Sequence, residues 1–313
     1  MMSSFRVVVT DQVFPDIDVE RRLVESAGGS IEVASGTRDE VLDAARGADA
    51  LLNTYFAMDA AAIAGLEKCR IIARYGIGVD NVDLDAARAA GIAVTNVPDY
   101  CVEEVATHTL AHILALVRRI PQGDTLVRGG DWGAARLGEL HRLSTLTVGL
   151  LGYGRIARQV AQIMIALGTR VIVHDPYVDR LEHGDLVGID ELFSTADIVS
   201  VHCPLTPETK GLVNARTLSL MKSTALLVNT SRGPVVDLAD LVAALRQGTI
   251  AGAGLDVFET EPPSLDVVSN VPNLVMSPHS AFYSVEAVKE SQRKATAQVL
   301  KALADEPLDY RIV

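Results

Sequence analysis

Cysteine, net positive charge and long apolar runs are all scarce in this 313-residue sequence. Its three cysteines, Cys69, Cys101 and Cys203, are odd in number and lack C-x-x-C spacing, which argues against a disulfide framework and favours a reducing compartment. The formal net charge of −12 leaves no basic footprint for nucleic acid or an acidic membrane surface. No run approaches the length of a membrane span, and the N-terminus lacks the features of a signal peptide. We therefore expect a soluble, cytoplasmic protein with no nucleic-acid or membrane partner.

The alternation of apolar strands and short helices predicts the fold class. With 49% hydrophobic residues, the chain is long and apolar enough to bury the cores of two domains. Up to about residue 98, the pattern is that of a parallel sheet with helices on both faces. The alternation resumes after residue 145 and gives six parallel strand candidates, as expected of a full dinucleotide-binding sheet. We predict an α/β protein with two doubly wound parallel sheets and a final helix, residues 285–303, that packs on the first domain.

The segment between the two alternating regions is predicted to be a long helix followed by an irregular arm. The helix, residues 102–120, is apolar on more than one face, which is typical of core or of a subunit interface. It carries His108 and His112 at i, i+4, formally a metal-ligand spacing. No Glu lies between them as in H-E-x-x-H and no third ligand is evident, so we predict no metal site. The arm is expected over residues 122–142.

Residues 145–177 predict a strand, a tight turn, a helix and a second strand. The turn has the spacing G-x-G-x-x-A. Gly152 permits the tight turn, Gly154 lets the backbone approach a pyrophosphate, and Ala157 lets the helix pack closely on the strand. The second strand ends in Asp175, whose carboxylate can accept hydrogen bonds from a ribose 2′-OH and would repel a 2′-phosphate. The stretch therefore predicts a dinucleotide site that prefers NAD to NADP.

Polar residues collect at the predicted carboxyl ends of three later strands. Arg232, Glu261 and His279 each follow such a strand, and Asp256 lies near the end of one. Ligands in open α/β sheets bind at this edge, so we expect these side chains beside the dinucleotide. Each alone is typical of a solvated loop residue, but their convergence at this edge favours a catalytic role.

Over essentially its full length, the chain resembles the D-isomer-specific 2-hydroxyacid dehydrogenases. The resemblance is carried by motifs in the family's order: RYGIGVDNVDL (74–84), GIAVTNVP (91–98), VEEVATHTLAHIL (102–114), GLLGYGRIA (149–157), HDPY (174–177), HCPLTPET (202–209), LVNTSRGPVVD (227–237), GAGLDVFETEPP (252–263) and SPHSAFYS (277–284). It implies a flavodoxin-like substrate domain of residues 1–98 and 284–313, and a Rossmann NAD domain of residues 99–283. It also implies a homodimer joined through residues 101–142.

The resemblance further implies a role for each site residue. Arg232, Glu261 and His279 match the family's catalytic trio. Arg232 would hold the carboxylate and carbonyl of a 2-oxo acid through its fork of donors. His279 would protonate the carbonyl oxygen as hydride arrives from NADH, and Glu261 would favour the charged imidazole and fix its tautomer.

Two sets of contacts follow from the same resemblance. Contacts with the substrate are implied, beside Arg232, for a glycine-containing turn and one aromatic ring: Tyr75, Gly76, Ile77, Gly78 and Phe282. Contacts with NAD are implied for Gly152, Gly154, Arg155, Ile156, Asp175, His202, Cys203, Pro204, Thr209, Thr230, Ser231, Asp256 and Ser280.

The motifs leave the substrate open. Glu261 stands where formate-oxidising members carry Gln, so formate oxidation is not expected. HSAFYS resembles the HxAWYS of the C-terminal-binding-protein branch, although Phe282 replaces its Trp. We expect an NAD-dependent D-2-hydroxyacid dehydrogenase acting on a small 2-oxo or 2-hydroxy acid. The alternatives are an NAD-sensing binding protein like the C-terminal-binding-protein corepressors and a short phosphoglycerate dehydrogenase, for which Arg74 is a candidate phosphate ligand or else part of a structural ion pair.

Overall fold

The computed structural model describes residues 4–313, which form two compact units. The first unit comprises the residues up to Tyr100 together with Ser284–Val313, and the second comprises Cys101–Tyr283. In the part of the chain described, no helix has the length and apolarity needed to cross a membrane.

The first unit contains a five-stranded parallel sheet with the order β2-β1-β3-β4-β5. This is the flavodoxin-like order, so the predicted fold class is confirmed for this unit. The strands are β1 (Arg6–Val9), β2 (Ser30–Val33), β3 (Ala50–Asn53), β4 (Ile71–Arg74) and β5 (Ala93–Thr95). The helices between them are α1 (Asp18–Ser26), α2 (Arg38–Arg46), α3 (Ala60–Ala64) and α4 (Leu84–Ala89). Every residue of β3 and β4 is buried, as expected of strands covered on both faces.

Polar side chains define where the helices of the first unit begin. The side chain of Thr37 accepts a hydrogen bond from the backbone nitrogen of Glu40, whose own side chain bonds back to Thr37. The side chains of Asp59 and Asp83 cap α3 and α4 by accepting a hydrogen bond from the backbone nitrogen three residues later. Ser284 caps the C-terminal helix, Val285–Leu303, which packs against α1 and the strands β3, β4 and β5.

The second unit contains a seven-stranded parallel sheet. Its strands are β6 (Thr147–Leu151), β7 (Arg170–His174), β8 (Asp185–Leu186), β9 (Ile198–Val201), β10 (Leu226–Asn229), β11 (Gly252–Leu255) and β12 (Leu274–Met276). The order β12-β11-β10-β9-β6-β7-β8 places β6 and β9 side by side, with the chain winding outwards from both, as in a Rossmann sheet with one added strand. The expected six strands were one too few, because the edge strand β8 has only two exposed residues and no apolar run.

The helices of the second unit correct the sequence prediction for residues 102–142. They are α5 (Val102–Val117), α6 (Ile120–Arg128), α7 (Arg155–Ala166), α8 (Ile189–Thr195), α9 (Ala215–Leu220), α10 (Leu238–Gln247) and α11 (Leu265–Val268). The helix predicted over 102–120 ends early because Arg119 adopts a left-handed conformation, with φ at 49°. Pro121 then occupies the first turn of α6, where its missing N–H costs nothing. The first third of the predicted irregular arm, residues 122–128, is therefore helical.

Candidate active site

The turn after β6 has a geometry that requires glycine. Gly152 has φ of 96°, and a Cβ there would lie 2.8 Å from the backbone nitrogen of Cys203 and 2.9 Å from the carbonyl carbon of His202. Gly154 directly precedes α7 and leaves space for ligand atoms, since apart from its two chain neighbours no atom in the described structure lies within 4 Å of where its Cβ would be. Having no side chain, Gly154 cannot cap the helix, which leaves the first N–H groups of α7 to bind an anion.

The first turn of α7 places the other fingerprint residues around this space. Arg155 is its first residue and is exposed, whereas Ile156 packs against the apolar core between α5, α7 and the sheet. Ala157 is fully buried, which allows the helix to approach the strand closely.

Asp175 lies directly after β7, beside the glycine turn. One carboxylate oxygen accepts a hydrogen bond from the backbone nitrogen of Tyr153 at 2.8 Å, and the other accepts one from the nitrogen of Tyr177 at 2.9 Å. These two bonds fix the orientation of the carboxylate, and the side chain is only half-buried. The group is therefore available as an acceptor for a ribose hydroxyl.

The segment after β9 borders the same turn. The backbone nitrogen of His202 donates to the carbonyl of Leu151 at 2.8 Å. Burial lowers the pKa of His202 to about 4 and raises the pKa of the Cys203 thiol to about 11, so both side chains are uncharged near neutral pH. Pro204 is exposed, and its carbonyl accepts a hydrogen bond from the Thr209 hydroxyl at 2.6 Å.

A carboxylate–imidazole pair lies at the carboxyl edge of the sheet. Nδ1 of His279 is 2.7 Å from one oxygen of Glu261, and the other oxygen of Glu261 accepts from the backbone nitrogen of Phe258 at 3.0 Å. Burial alone would raise the pKa of Glu261, but the bonds to His279 and Phe258 hold it below its ordinary value. The ionised carboxylate therefore keeps the proton of the imidazole on Nδ1 and leaves Nε2 for proton transfer.

Asp256 anchors the loop that carries His279. Its carboxylate accepts hydrogen bonds from the backbone nitrogens of Ser280 and Ala281, each at 2.9 Å, and its carbonyl accepts one from the nitrogen of His279 at 2.8 Å. Burial would raise the pKa of Asp256, but donors around the carboxylate, from His108 and Ser277 as well as these nitrogens, hold it well below its ordinary range. A buried, ionised carboxylate thus fixes the backbone of His279, which has φ of 50°.

Arg232 lies in the turn that follows β10. Its neighbour Gly233 packs directly on the Phe258–Glu259 peptide, since a Cβ at Gly233 would lie 1.9 Å from the carbonyl of Phe258. The turn is stabilised by Asn229, whose side chain donates to the carbonyl of Arg232 at 2.9 Å and accepts from the backbone nitrogen of Ser231 at 3.0 Å. The structure thereby brings the Arg232 turn next to the segment that leads to Glu261.

Three further side chains follow strands at this edge of the sheet. The Thr230 hydroxyl is buried and bonded to the hydroxyl of Thr109 at 2.8 Å. The ring of Phe282 approaches the ring of His279 edge-on, with centroids 6.2 Å apart. Glu259, the other carboxylate after β11, accepts a hydrogen bond at 3.2 Å from the backbone nitrogen of Leu238, the first residue of α10.

In the first unit, the turn after β4 has its carbonyl groups occupied. The carbonyls of residues 75–78 accept hydrogen bonds, in order, from Ser291 Oγ at 2.6 Å, Val97 N at 3.1 Å, Asn96 Nδ2 at 2.7 Å and Arg74 Nε at 2.9 Å. With the carbonyls bound to the protein, the intervening N–H groups of Gly76, Ile77 and Gly78 are the ones left to meet an anion. Arg74 is buried beneath this turn and also donates to the side chain of Asn53, which favours a structural role for it.

Sequence reasoning treated His108 and His112 only as a formal metal pair and did not single out Ser277. In the structure both imidazoles contact the Ser277 hydroxyl, at 2.8 and 2.9 Å. Among residues 4–313, no group of three or more potential metal-ligating side chains is assembled. The i, i+4 spacing was the available signal, since it places both rings on one face of α5.

Comparisons with known proteins identify the family and support this fold. The family model "D-isomer specific 2-hydroxyacid dehydrogenase, NAD binding domain" matches residues 110–281. D-3-phosphoglycerate dehydrogenase of Methanocaldococcus jannaschii is 35% identical over 96% of this chain, although the match covers only 58% of that longer protein. The chain belongs to the D-isomer-specific 2-hydroxyacid dehydrogenases. The resemblance in the sequence motifs is thus confirmed, and the chain contains the NAD-binding domain of a family of NAD-dependent oxidoreductases that act on 2-hydroxy acids.

Two further relatives match over most of their own length. Glyoxylate reductase of Aeropyrum pernix is 38% identical over 88% of this dehydrogenase-family chain and 86% of its own. The crystal structure of the TT0316 protein from Thermus thermophilus superposes with a TM-score of 0.90 at 37% identity, covering 98% of this chain and all of the other. The match to a solved structure confirms the two-domain α/β fold.

Proposed function

We propose that this protein is an NAD-dependent D-2-hydroxyacid dehydrogenase that interconverts a small 2-oxo acid and its 2-hydroxy acid. The observation that carries the proposal is the Glu261–His279 pair, held at 2.7 Å on a loop anchored by a buried carboxylate. Such a pair is suited to acid–base catalysis, and it lies in the unit that contains the family's NAD-binding domain.

The residues at the glycine turn fit NAD. The uncovered start of α7 and the space at Gly154 suit a pyrophosphate, and the fixed carboxylate of Asp175 suits a ribose hydroxyl. When bound, NADH supplies the hydride. Near this site we assign cofactor contacts to Arg155 and Ile156, to the segment after β9 with Thr209, and to the residues around Asp256.

Each member of the trio has a defined task in the proposed reaction. His279 holds a proton at Nε2 and gives it to the carbonyl oxygen of the 2-oxo acid, and it takes a proton from the hydroxyl in the reverse direction. Glu261 stabilises the charged imidazole and fixes its orientation. Arg232 binds the carboxylate and carbonyl oxygens of the acid through its planar guanidinium.

We propose the role of substrate domain for residues 1–98 with 284–313, which lie in the first unit, and that of NAD domain for residues 99–283. The N–H groups of the turn at Gly76, Ile77 and Gly78 are proposed to bind the substrate carboxylate. This assignment is supported by the carbonyls of the turn, which accept hydrogen bonds within the protein and so leave the N–H groups to meet an anion. Phe282 is proposed to border the substrate because its ring lies against that of His279.

The names of the relatives suggest two substrates. One relative is a glyoxylate reductase and another a D-3-phosphoglycerate dehydrogenase, and this chain spans 58% of the length of the latter. We favour an acid without phosphate, because Arg74, the cation considered for a phosphate, is buried and bonded to the turn carbonyl of Gly78.

We further propose a homodimer formed through residues 101–142, in the cytoplasm and without nucleic-acid or membrane partners. The dimer is supported by exposed apolar side chains on α6 and the arm, including Ile120, Val127 and Trp132. The proposal of no nucleic-acid or membrane partner is supported by the net charge of −12, and the cytoplasm is supported by three cysteines that form no disulfide. Sedimentation equilibrium tests the dimer, and a mass of one chain would contradict it.

The substrate class is tested by following the NADH absorbance band with a panel of 2-oxo acids. The panel contains glyoxylate, hydroxypyruvate, phosphohydroxypyruvate, phenylpyruvate and a sugar-derived 2-oxo acid, each with NADH and with NADPH. We expect NADH oxidation with glyoxylate or hydroxypyruvate and weaker oxidation with phosphohydroxypyruvate. Bound NADH with no oxidation by any acid would contradict the proposal and favour an NAD-sensing binding protein.

A further inference from the structure

The second unit contains a polar cluster that the trio does not use. It consists of His108 and His112 on α5 and Ser277 directly after β12, and we call it the serine cluster. The Ser277 oxygen lies 2.8 Å from Nε2 of His108, 2.9 Å from Nε2 of His112 and 2.6 Å from a carboxylate oxygen of Asp256. Three polar partners thus converge on one hydroxyl group.

The hydrogen positions in the serine cluster follow from the capacity of each group. A hydroxyl has one hydrogen to donate and two lone pairs to accept with. The ionised carboxylate of Asp256 can only accept, so the hydrogen of Ser277 is directed to it. Both imidazoles must then present an N–H here: His112 donates to the Ser277 oxygen, and Nε2 of His108 faces both that oxygen and, at 3.4 Å, the Asp256 carboxylate. This assigns the proton of His112, and one proton of His108, to Nε2.

His112 occupies a slot shaped for a ring in this orientation. Its side chain is buried, and its Nδ1 has no hydrogen-bond partner among the described residues. The slot exists because residue 254 is glycine, since a Cβ there would lie 2.8 Å from Nδ1. Burial and the neighbouring His108 lower the pKa of His112 to about 4, so the ring is neutral near pH 7. The missing partner costs least when Nδ1 carries no proton, because an N–H there would be a buried donor without an acceptor.

The serine cluster acts on the loop of His279 through Asp256. The oxygen of Asp256 that accepts from Ser277 also accepts from the nitrogen of Ser280, and the second oxygen accepts from that of Ala281. His279 lies between these contacts and its left-handed backbone is bonded to the carbonyl of Asp256. Rotation of the Asp256 carboxylate would therefore release the backbone on the C-terminal side of His279.

We propose that His112, acting through Ser277, and His108, acting through Ser277 and directly on the carboxylate, are positioning residues that fix Asp256 and with it the loop that carries His279. The inference rests on the proposed function only in taking His279 as the acid. The three residues contact neither substrate nor hydride in this account. They set the place from which His279 delivers its proton.

The first test measures the tautomers by NMR of protein labelled with ¹⁵N-histidine. We expect His112, assigned by its absence from the His112→Gln spectrum, to be neutral and protonated on Nε2 from pH 6 to 8. A signal showing Nδ1–H for His112 would overturn the hydrogen-bond assignment. This arm needs no substrate, so it decides the arrangement even if no 2-oxo acid is turned over and the proposed function fails.

The second test compares two replacements of His112. His112→Gln keeps a donor near the Nε2 position, whereas His112→Leu fills a similar space without one. We expect the Leu variant to lower kcat about tenfold or more with little change in KM, because the acid is displaced, and the Gln variant to recover most of the loss. Equal kcat values for the two variants would overturn the proposal. His183→Leu and His183→Gln are the matched controls, since the hydrogen bonds of His183 to Tyr153 come from its backbone.

A double-variant comparison excludes a general loss of folding. Ser277→Ala removes the group through which His112 is proposed to act, so adding His112→Leu to it should lower kcat no further. Additive losses would contradict action through Ser277. Circular dichroism and the dissociation constant of NADH are measured for each variant, and we expect the fold to be retained and NADH affinity to change less than kcat.

Discussion

At the scale of single residues, the candidate site is a set of carboxylates with different surroundings. Asp256 is fully buried and held by several donors, Glu261 is half-exposed and paired with His279, and Asp175 lies at the surface of the glycine turn with two backbone bonds. These surroundings suit Asp256 to anchoring a loop and Glu261 to stabilising a protonated imidazole. They suit Asp175 to accepting a hydrogen bond from a ribose hydroxyl.

Asp175 gives the sharpest prediction at this scale. Replacing Asp175 with Asn removes the charge but keeps an oxygen for the backbone bonds of the turn, whereas Asp175→Ala removes both. We expect either variant to narrow the preference for NADH over NADPH by about tenfold or more, because the repulsion of a 2′-phosphate is lost. The measurement is kcat/KM with each cofactor, or the two dissociation constants.

The matched control for that prediction is Asp179→Asn, which removes an exposed charge four residues further along the chain. It should leave the cofactor preference unchanged. A narrowed preference in Asp175→Ala but not in Asp175→Asn would contradict the electrostatic explanation and point to collapse of the turn.

The sequence predicted that Glu261 and His279 lie at one edge of the sheet. It did not predict the residues that hold them in place. The rule that ligands meet strand ends predicts that these side chains share one edge, and the structure has them 2.7 Å apart. Ser277 was missed because its role depends on α5 packing on β10 and β11, so that two histidines of α5 reach the residue after β12, a tertiary contact that no local pattern encodes. The catalytic and binding roles of the site residues stay predictions.

At the level of elements, the two glycines in the strand–turn–helix of residues 147–166 have different functions. Gly152 serves the fold, since its φ is positive and the backbone of Cys203 occupies the place of a Cβ. Gly154 serves the ligand, since its φ of −75° suits any residue and the space around it is open.

This division predicts different results for two alanine variants. Gly152→Ala should lower the melting temperature by several degrees and weaken NADH binding, because a positive φ costs an L-residue roughly 1 kcal/mol before any clash. Gly154→Ala should leave the melting temperature within about a degree and still weaken NADH binding about tenfold, because its methyl group enters the proposed pyrophosphate space. Differential scanning fluorimetry and NADH titration measure the two effects. Unchanged NADH affinity in Gly154→Ala would exclude this turn as the pyrophosphate site.

Element boundaries were predictable where apolar periodicity was strong and not where the backbone departs from it. The final helix, Val285–Leu303, has a Ser cap and a regular apolar face, and the sequence pattern predicts the same bounds. The break at Arg119 was missed because apolar residues continue across it, and β8 was missed because it is an exposed two-residue edge strand.

At the scale of the whole molecule, alternation along the chain predicted the two parallel sheets, and their orders are those of the flavodoxin-like and Rossmann folds. Right-handed crossovers and buried strands permit few arrangements of alternating strands and helices, and the family resemblance implied which of these strand orders to expect. The identity of the substrate could not be predicted from the sequence, because it depends on a few side chains whose placement neither periodicity nor motif spacing specifies.

We propose above that His279 is the acid–base residue of an NAD-dependent dehydrogenase. The variant His279→Asn tests this role. Asn tolerates the left-handed backbone at this position, so the loop should keep its conformation. The measurement is kcat with the best 2-oxo acid of the panel together with the dissociation constant of NADH. The account predicts that kcat falls about 10²-fold or more while NADH affinity stays within a few-fold. Undiminished turnover in the variant would contradict the claim.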